Sequence, residues 1–435
     1  MSAPVPGDDR DYDVLLARLY AARRFGMRLE LDRVAGCLDR LGRPQAQFAA
    51  VAQIGGTNGK GSTAAFVDAI LRASGARVGL YSSPHLSRLS ERFKVDGAEL
   101  EPAVLLEADR AVAGAAAAAG VDLTFFERLT GMAVWAFARR GVEVAVLEVG
   151  MGGRLDATTA VGADVAAVTG VALDHQEHLG STLAEIAREK AGVFRPGQRA
   201  VVGAAGEPEG VPLLCAEALR VGVAALTVVQ ASAIAAVQRP LGLAGAHQRA
   251  NAACALAVID HLEVELGRAV PEDARRRGLA GCRLAGRFET VASSPAVIID
   301  GAHNPQAARV VADAWREVPA GRRVLVLAVS RDKDAAGIAA ALAGAGGAVD
   351  DVVVTATRHE RALPAELLAD AVRSVAPGRA LHRAPDTATA LALARDLAGQ
   401  DGAVLVAGSL FLAGEAREAL CGDRADPRPM TDPIP

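Results

Sequence analysis

Apolar residues in this chain come in two spacings. Short unbroken runs such as VAQI (51–54), VGLY (78–81), VEVAVLEV (142–149), DVAAV (164–168) and AVII (296–299) have the length of buried strands. Longer segments place apolar residues three and four apart, as in YDVLLARLYAARR, LDRVAGCLDRLG, AAFVDAILRAS, TGMAVWAFARR and STLAEIAREKAG, and these predict helices. RRVLVLAVSRDKD, VDDVVVTATRHERALP and GAVLVAGSLFLAGEA repeat the order of strand, polar loop and helix late in the chain. Strands of this kind belong in parallel sheets covered by helices on both faces, an α/β fold. ERFKVDG (91–97) predicts a loop or hairpin, and the alanine tract at 115–119 is helix filler. Residues 196–240 carry a weak α/β signal. RLAGRFET (283–290) has the composition of a linker. The expected division is residues 1–284 and 285–435.

One strand end differs from the others. After Ile54, the segment GGTNGKGST surrounds Asn58 and Lys60 with Gly55, Gly56, Gly59 and Gly61, and Ser62 and Thr63 lead into a helix. Glycines there let backbone N–H groups approach phosphate oxygens. The helix N-terminus adds partial positive charge and Lys60 a full one. The standard phosphate-loop pattern would have glycine at 54 and a hydroxyl at 61, so the match is partial. A Gly-rich turn without chemistry would not explain a lysine and two hydroxyls at the helix entry. A nucleoside triphosphate is the expected ligand.

Composition narrows the field. At 435 residues the chain exceeds one typical core, which predicts two domains and leaves room for a third. Hydrophobic residues make up 51% and aromatics 3%, so the core must be Ala, Val and Leu. A net charge of −4 with interspersed signs argues against a nucleic-acid partner. Five cysteines without C-x-x-C spacing argue against a disulfide framework or structural zinc, and suit a cytoplasm. The acidic N-terminus lacks a signal-peptide pattern, and no run is apolar enough for a membrane span.

Further polar groups stand at strand ends, where open α/β sheets bind ligands. Ser82, Ser83 and His85 follow the second strand; His85 serves equally well as an ordinary loop histidine. Glu148 ends an apolar strand beside a glycine turn, and burial there requires either a metal ion or a salt-bridge partner. GMGGRL (150–155) lacks the last glycine of a dinucleotide fingerprint. Asp174, His175 and His178 follow the next strand, although Mg²⁺ favours oxygen donors. Lys190, near a helix end, reads on its own as a solvated surface charge. His247, Gln248 and Asn251, in a first helical turn, read as capping residues. The second half holds Asp300, His303 and Asn304 at a strand end, and no second phosphate loop.

Taken together, GGTNGKGST, SSPHL, FFERLT, EVGMGGRLDAT, DHQEHLG…EKAG, HQRANA, AGRFE, IDGAHNP and DKD resemble the folylpolyglutamate synthase family, including its bifunctional dihydrofolate synthase members, within the Mur ligase superfamily. The resemblance runs from FGMRLELDRV (25–34) to GSLFLAG (408–414). It implies a P-loop-containing parallel-sheet ATPase domain followed by a smaller Rossmann-like α/β domain. It implies ATP-dependent amide ligation: a substrate carboxylate takes the γ-phosphoryl group, glutamate's amine attacks the acyl phosphate, and phosphate leaves. Dihydropteroate, a reduced folate, or both would be the acceptor; the presence of all three pterin-region residues favours both. Carried over by motif, Gly56, Thr57, Asn58, Gly59, Lys60, Gly61 and Ser62 hold the triphosphate. Ser83, Glu148 and His175 bind Mg²⁺. Lys190 matches a carbamylated lysine that serves a second Mg²⁺, which reverses its surface reading. Asn251, Arg287 and Asp300 close on ATP from the domain junction. His303 and Ser409 lie near the incoming glutamate, and Phe126, Asp156 and Ala157 match the pterin pocket. Lys60, Lys190 and His303 are the expected catalytic groups. A monomer is expected.

Three departures stand out. The loop reads GGTNGKG where the family usually has AGTNGKG, SSPHL replaces TSPHL, and Phe411 occupies the tyrosine position of GSLY, which removes any hydroxyl role there. A Mur-type peptidoglycan enzyme is the nearest rival, against which SSPHL, FFERLT and EKAG argue. A P-loop switch or kinase would leave the second domain unexplained, and no N-K-x-D motif is present. A binding protein without catalysis would not need the phosphate and metal positions.

Overall fold

The computed structural model describes residues 8–21, 31–174, 176–345 and 347–426. Its first sheet holds β1 (Ala50–Gly55), β2 (Val78–Tyr81), β3 (Phe93–Val95), β4 (Ala98–Glu99), β5 (Val144–Glu148), β6 (Val165–Val168), β7 (Arg199–Val202) and β8 (Ala225–Val228). They lie in the order β4-β3-β2-β5-β1-β6-β7-β8. The strands from β2 across to β8 run parallel, and β3 and β4 add an antiparallel edge. The ERFKVDG segment is thus a hairpin whose first strand joins the main sheet.

The second sheet holds β9 (Glu289–Ser293), β10 (Ala296–Ile299), β11 (Arg323–Leu327), β12 (Asp351–Val354), β13 (Ala380–Arg383) and β14 (Ala403–Ala407), ordered β13-β12-β11-β14-β10-β9. All pairs are parallel except β9 with β10. The expectation of a linker through 290 therefore needs correction. Its last two residues, Glu289 and Thr290, already belong to β9, whose half-buried, mixed composition hides its strand character.

The period of two along each strand sorts the cores. Val144 and Val146 of β5 face the helices Lys60–Ala73, Gln248–Leu266 and Glu272–Gly281. Ala145 and Leu147 face Pro102–Ala119 and Phe125–Arg139. In the second sheet Leu325 and Leu327 pack with Trp315 and Ile338, while Val324 and Val326 pack with Leu391 and Leu412. Large side chains are few, so helices approach closely and alanine fills the layers.

The connection from β1 runs past β5 to β2, whereas the connection from its neighbour β6 runs the other way, to β7. That makes the carboxyl end of β1 a topological switch point, and the glycine loop stands there. Phe125–Arg139 starts five residues before the TGMAVWAFARR pattern. Thr124 Oγ accepts from Glu127 N and the Glu127 carboxylate from Thr124 N, a capping box that extends the helix through Phe126. Among the described residues no helix is long and apolar enough to cross a membrane.

Candidate active site

The glycine loop is held by the segment that follows β6. Thr57 N donates to Gly170 O (2.9 Å), Ala172 N to Thr57 Oγ1 (3.0 Å), and Thr169 Oγ1 to Asn58 O (2.6 Å). Gly59 caps the following helix with φ +82°, and a Cβ there would lie 2.3 Å from Asn251 Oδ1. Side chains rarely adopt that conformation, and none would fit. Asn251 Oδ1 is itself buried and without a hydrogen-bond partner, while its Nδ2 donates to Gln248 Oε1 at 2.9 Å. The first turn of that helix is therefore not a cap as expected: His247 makes no side-chain capping bond, and Gln248 and Asn251 are buried. They are turned toward the loop because Gln248–Leu266 packs on Lys60–Ala73.

Two lysines converge on one carbonyl. Lys60 Nζ donates to Gly56 O (3.1 Å) and Thr57 O (3.0 Å), and Lys190 Nζ donates to Gly56 O (3.1 Å). Lys190 is 3% exposed, which excludes the surface reading. Its helix, Leu183–Ala191, turns an apolar face carrying Ile186 and Ala187 inward, and Lys190 follows on that side. Burial, then the charge of Lys60, brings the Lys190 pKa down to about 7. Burial also lowers Lys60, against the attraction of Glu148 and Asp174.

Glu148, at the end of β5, is 4% exposed. Burial raises its pKa although Lys60 opposes the rise, and Ser83 N donates to Glu148 Oε2 at 3.1 Å. A buried carboxylate held against that penalty and bonded to the backbone of a serine brings together residues with hard oxygen donors of the kind Mg²⁺ takes. His175 lies outside the described residues. Among those described, no three His, Cys, Asp or Glu side chains form a metal-holding group.

The second sheet closes the site from across the cleft. Asn58 Nδ2 donates to Gln306 Oε1 (2.5 Å), and Asn304 Nδ2 donates to both Asn58 Oδ1 and Asp174 Oδ2 (3.2 Å each). Lys333 Nζ lies 3.5 Å from Asp174 Oδ1. His303, next to Asn304, donates from Nδ1 to Gly301 O (2.8 Å), and burial lowers its pKa. Gly408 N bonds Ala302 O at 3.0 Å, which brings the residue after each, Ser409 and His303, to one edge. Ser409 Oγ accepts from Phe411 N. Asp300 is raised by burial while it accepts from Phe288 N and Ala302 N. The Arg287 charge is felt at Lys60, Glu148, Asp300 and His303.

Phe126, Asp156 and Ala157 form a separate flank. Phe126 lies 5.8 Å from the Tyr81 ring, and a Cβ on Gly150 would stand 2.6 Å from its Cζ. Asp156 is buried with four bonds inside its own loop: Oδ1 accepts from Thr158 N and Thr158 Oγ1, and Oδ2 from Gly150 N and Met151 N. Ala157 begins the 3₁₀ turn that Asp156 caps. Sequence reasoning gave no role to Gln53, Gln306 or Lys333; DKD covered Lys333 only as pattern, and Gln306 stands one residue beyond IDGAHNP.

Residues 54–207 match the Mur ligase middle domain and residues 286–410 the Mur ligase glutamate ligase domain. A dihydrofolate synthase/folylpolyglutamate synthase of Escherichia coli is 37% identical, over 91% of this chain and 92% of that one. A probable bifunctional folylpolyglutamate synthase/dihydropteroate synthase of Halobacterium salinarum is also 37% identical, over 93% of this chain, and this chain spans only about half of its length (51%). E. coli FolC in complex with DHPP and ADP superposes with a TM-score of 0.83 at 33% identity, covering 95% of this chain and 98% of that one. A bifunctional folylpolyglutamate synthase/dihydrofolate synthase of Yersinia pestis complexed with AMPPNP and Mn gives 0.84 at 32%, covering 97% and 100%. With the glycine loop, the paired lysines and the facing sheet in place, this protein belongs to the dihydrofolate synthase/folylpolyglutamate synthase family of Mur ligases.

Proposed function

We propose that this protein ligates L-glutamate to dihydropteroate and to the γ-carboxyl of reduced folates, with ATP as phosphoryl donor. The observation that carries the reading is the convergence of Lys60 and Lys190 on the Gly56 carbonyl, between a helix N-terminus and the Ser83–Glu148 pair. Reaction through an acyl phosphate is largely a matter of placement and charge neutralisation, and these groups supply both. Residues 56–62 would hold the triphosphate with backbone N–H groups, and Lys60 would leave the loop carbonyls for the phosphates. Asn251, with its unpartnered buried oxygen, and Arg287 and Asp300 would close on the nucleotide. Ser83, Glu148 and His175 would hold Mg²⁺, which when bound neutralises charge on the transferring phosphoryl group. Lys190 would be present as the neutral amine above about pH 7, the form that takes up CO₂ as a carbamate for a second ion.

His303 and Ser409 would receive glutamate on the second sheet, and Phe126, Asp156 and Ala157 would frame the pterin. The ligands named for the similar structures, DHPP, ADP, AMPPNP and Mn, support these classes of ligand. The working unit in this reading is a monomer. Five free cysteines, three of them buried, fit a reducing compartment such as the cytoplasm.

The test is phosphate release with ATP, Mg²⁺ and glutamate, comparing dihydropteroate, tetrahydrofolate and no acceptor. Turnover with both acceptors is expected. Turnover with tetrahydrofolate alone would restrict the reading to polyglutamylation, and release with neither would reopen the Mur-type alternative.

A further inference from the structure

One buried amide has no place in the chemistry above. Gln53 sits in the middle of β1, 1% exposed, opposite Leu147 of β5 and Ala166 of β6. An amide among Val, Ala and Ile side chains costs desolvation energy unless its hydrogens are placed. Here both are. Gln53 Nε2 donates to Thr158 Oγ1 and to Thr159 Oγ1, at 2.8 Å each.

Those bonds set the direction of everything beyond them. Each hydroxyl has one proton, and accepting from Gln53 turns it outward. Thr158 Oγ1 donates onward to Asp156 Oδ1 (2.5 Å), and Thr159 Oγ1 to Gly153 O (2.7 Å). The other oxygen of Asp156 accepts from Gly150 N and Met151 N. The loop from Gly150, on which the Phe126 ring rests, to Thr159 is thus tied to β1 through one side chain, while Arg154 N and Nε hold its middle to Glu189 (3.0 Å each). Gln53 is also only three residues before Gly56, where the phosphate loop begins. No other polar side chain on β1 stands between the two loops.

We propose that Gln53 is a positioning residue that fixes the 150–159 loop, and with it the pterin pocket, relative to the phosphate loop; this rests on the ligase reading above. It touches neither nucleotide nor acceptor. It holds the loop that meets the acceptor, and a small displacement of that loop misaligns the carboxylate that takes the phosphoryl group.

The experiment uses the full chain with Gln53→Leu, Thr159→Val and Thr159→Ser, and measures KM for dihydropteroate, tetrahydrofolate and ATP separately. Gln53→Leu and Thr159→Val are expected to raise the acceptor KM about tenfold while the ATP KM stays within about twofold, because the phosphate loop has its own bonds to Thr169, Gly170 and Ala172. Thr159→Ser keeps the hydroxyl and is expected to retain wild-type values. If Gln53→Leu does not fold, the Thr159 pair carries the comparison. Acceptor KM values that do not move, or that move in step with the ATP KM, overturn the inference, as does a Thr159→Ser that behaves like Thr159→Val. A wild-type protein that turns over neither dihydropteroate nor tetrahydrofolate overturns the ligase reading, which is a separate result.

Discussion

Gly59 and Asn251 show how little space the phosphate loop leaves. The glycine caps the helix at a positive φ, and the asparagine oxygen occupies the volume a methyl group would need. Gly59→Ala is expected to weaken ADP binding by about 1–2 kcal/mol or more, from left-handed backbone strain plus displacement of Asn251. Titration calorimetry checks this, and unchanged affinity would mean that the loop is softer than its bonds to Thr169 and Gly170 imply. Much at this scale was readable in advance. Glycine spacing, the lysine at the helix entry and the strand-end carboxylate are local patterns. Lys190 was not readable from its own surroundings: a lysine near a helix end is ordinarily solvated, and only the packing of Leu183–Ala191 against the sheet makes it 3% exposed. Gln53 was equally silent, since its partners stand more than a hundred residues away.

At the scale of elements, the segment after the last helix, Leu410–Cys421, returns to the first sheet. Asp426 N donates to Ser87 O (2.9 Å), and its carboxylate accepts from Leu89 N (2.7 Å) and faces Tyr12, Arg88 and Glu91. Burial and the nearby Glu91 push the Asp426 carboxyl up to about 6. A raised carboxyl favours the folded state when protonated, so this contribution is complete below the ordinary value of 3.8 and is lost as pH climbs through about 6. Asp426→Asn, which stays neutral, is expected to gain on the wild type in thermal stability between those limits, by about 1–2 kcal/mol after allowance for partial exposure. Thermal melts across pH 4 to 7 read the difference, and parallel curves would remove Asp426 from the account. Strands and long helices were legible as elements because periodicity is local. The β9 strand and the start of Phe125–Arg139 were missed for opposite reasons: one has no apolar run to announce it, the other is started by a capping box five residues ahead of its apolar pattern.

At the scale of the molecule, the candidate site belongs to two sheets with separate cores. The bonds described across the cleft, from Asn58, Asp174, Gln306, Asn304 and Lys333, are polar, and water can replace each of them when the sheets part. A nucleotide that engages both sheets is expected to stabilise both. At a concentration of 100 times its dissociation constant it contributes about 2.7 kcal/mol to the folded state. Scanning calorimetry with AMPPNP checks this: a shift confined to part of the unfolding transition would mean that only one sheet takes part in binding. The α/β class and the strand-loop-helix repeat followed from the sequence alone, whereas the cross-cleft partners, Asn58 with Gln306 and Asp174 with Lys333, depend on how the two sheets face each other and leave no local trace. Asn58 carries the remaining consequence. It belongs to the phosphate loop, yet both ends of its amide engage the second sheet. A ligand that resets the loop therefore resets the closure. Thermodynamic reciprocity then requires that whatever binds beside His303 with the help of that closure changes nucleotide affinity by the same factor by which the nucleotide changes its own.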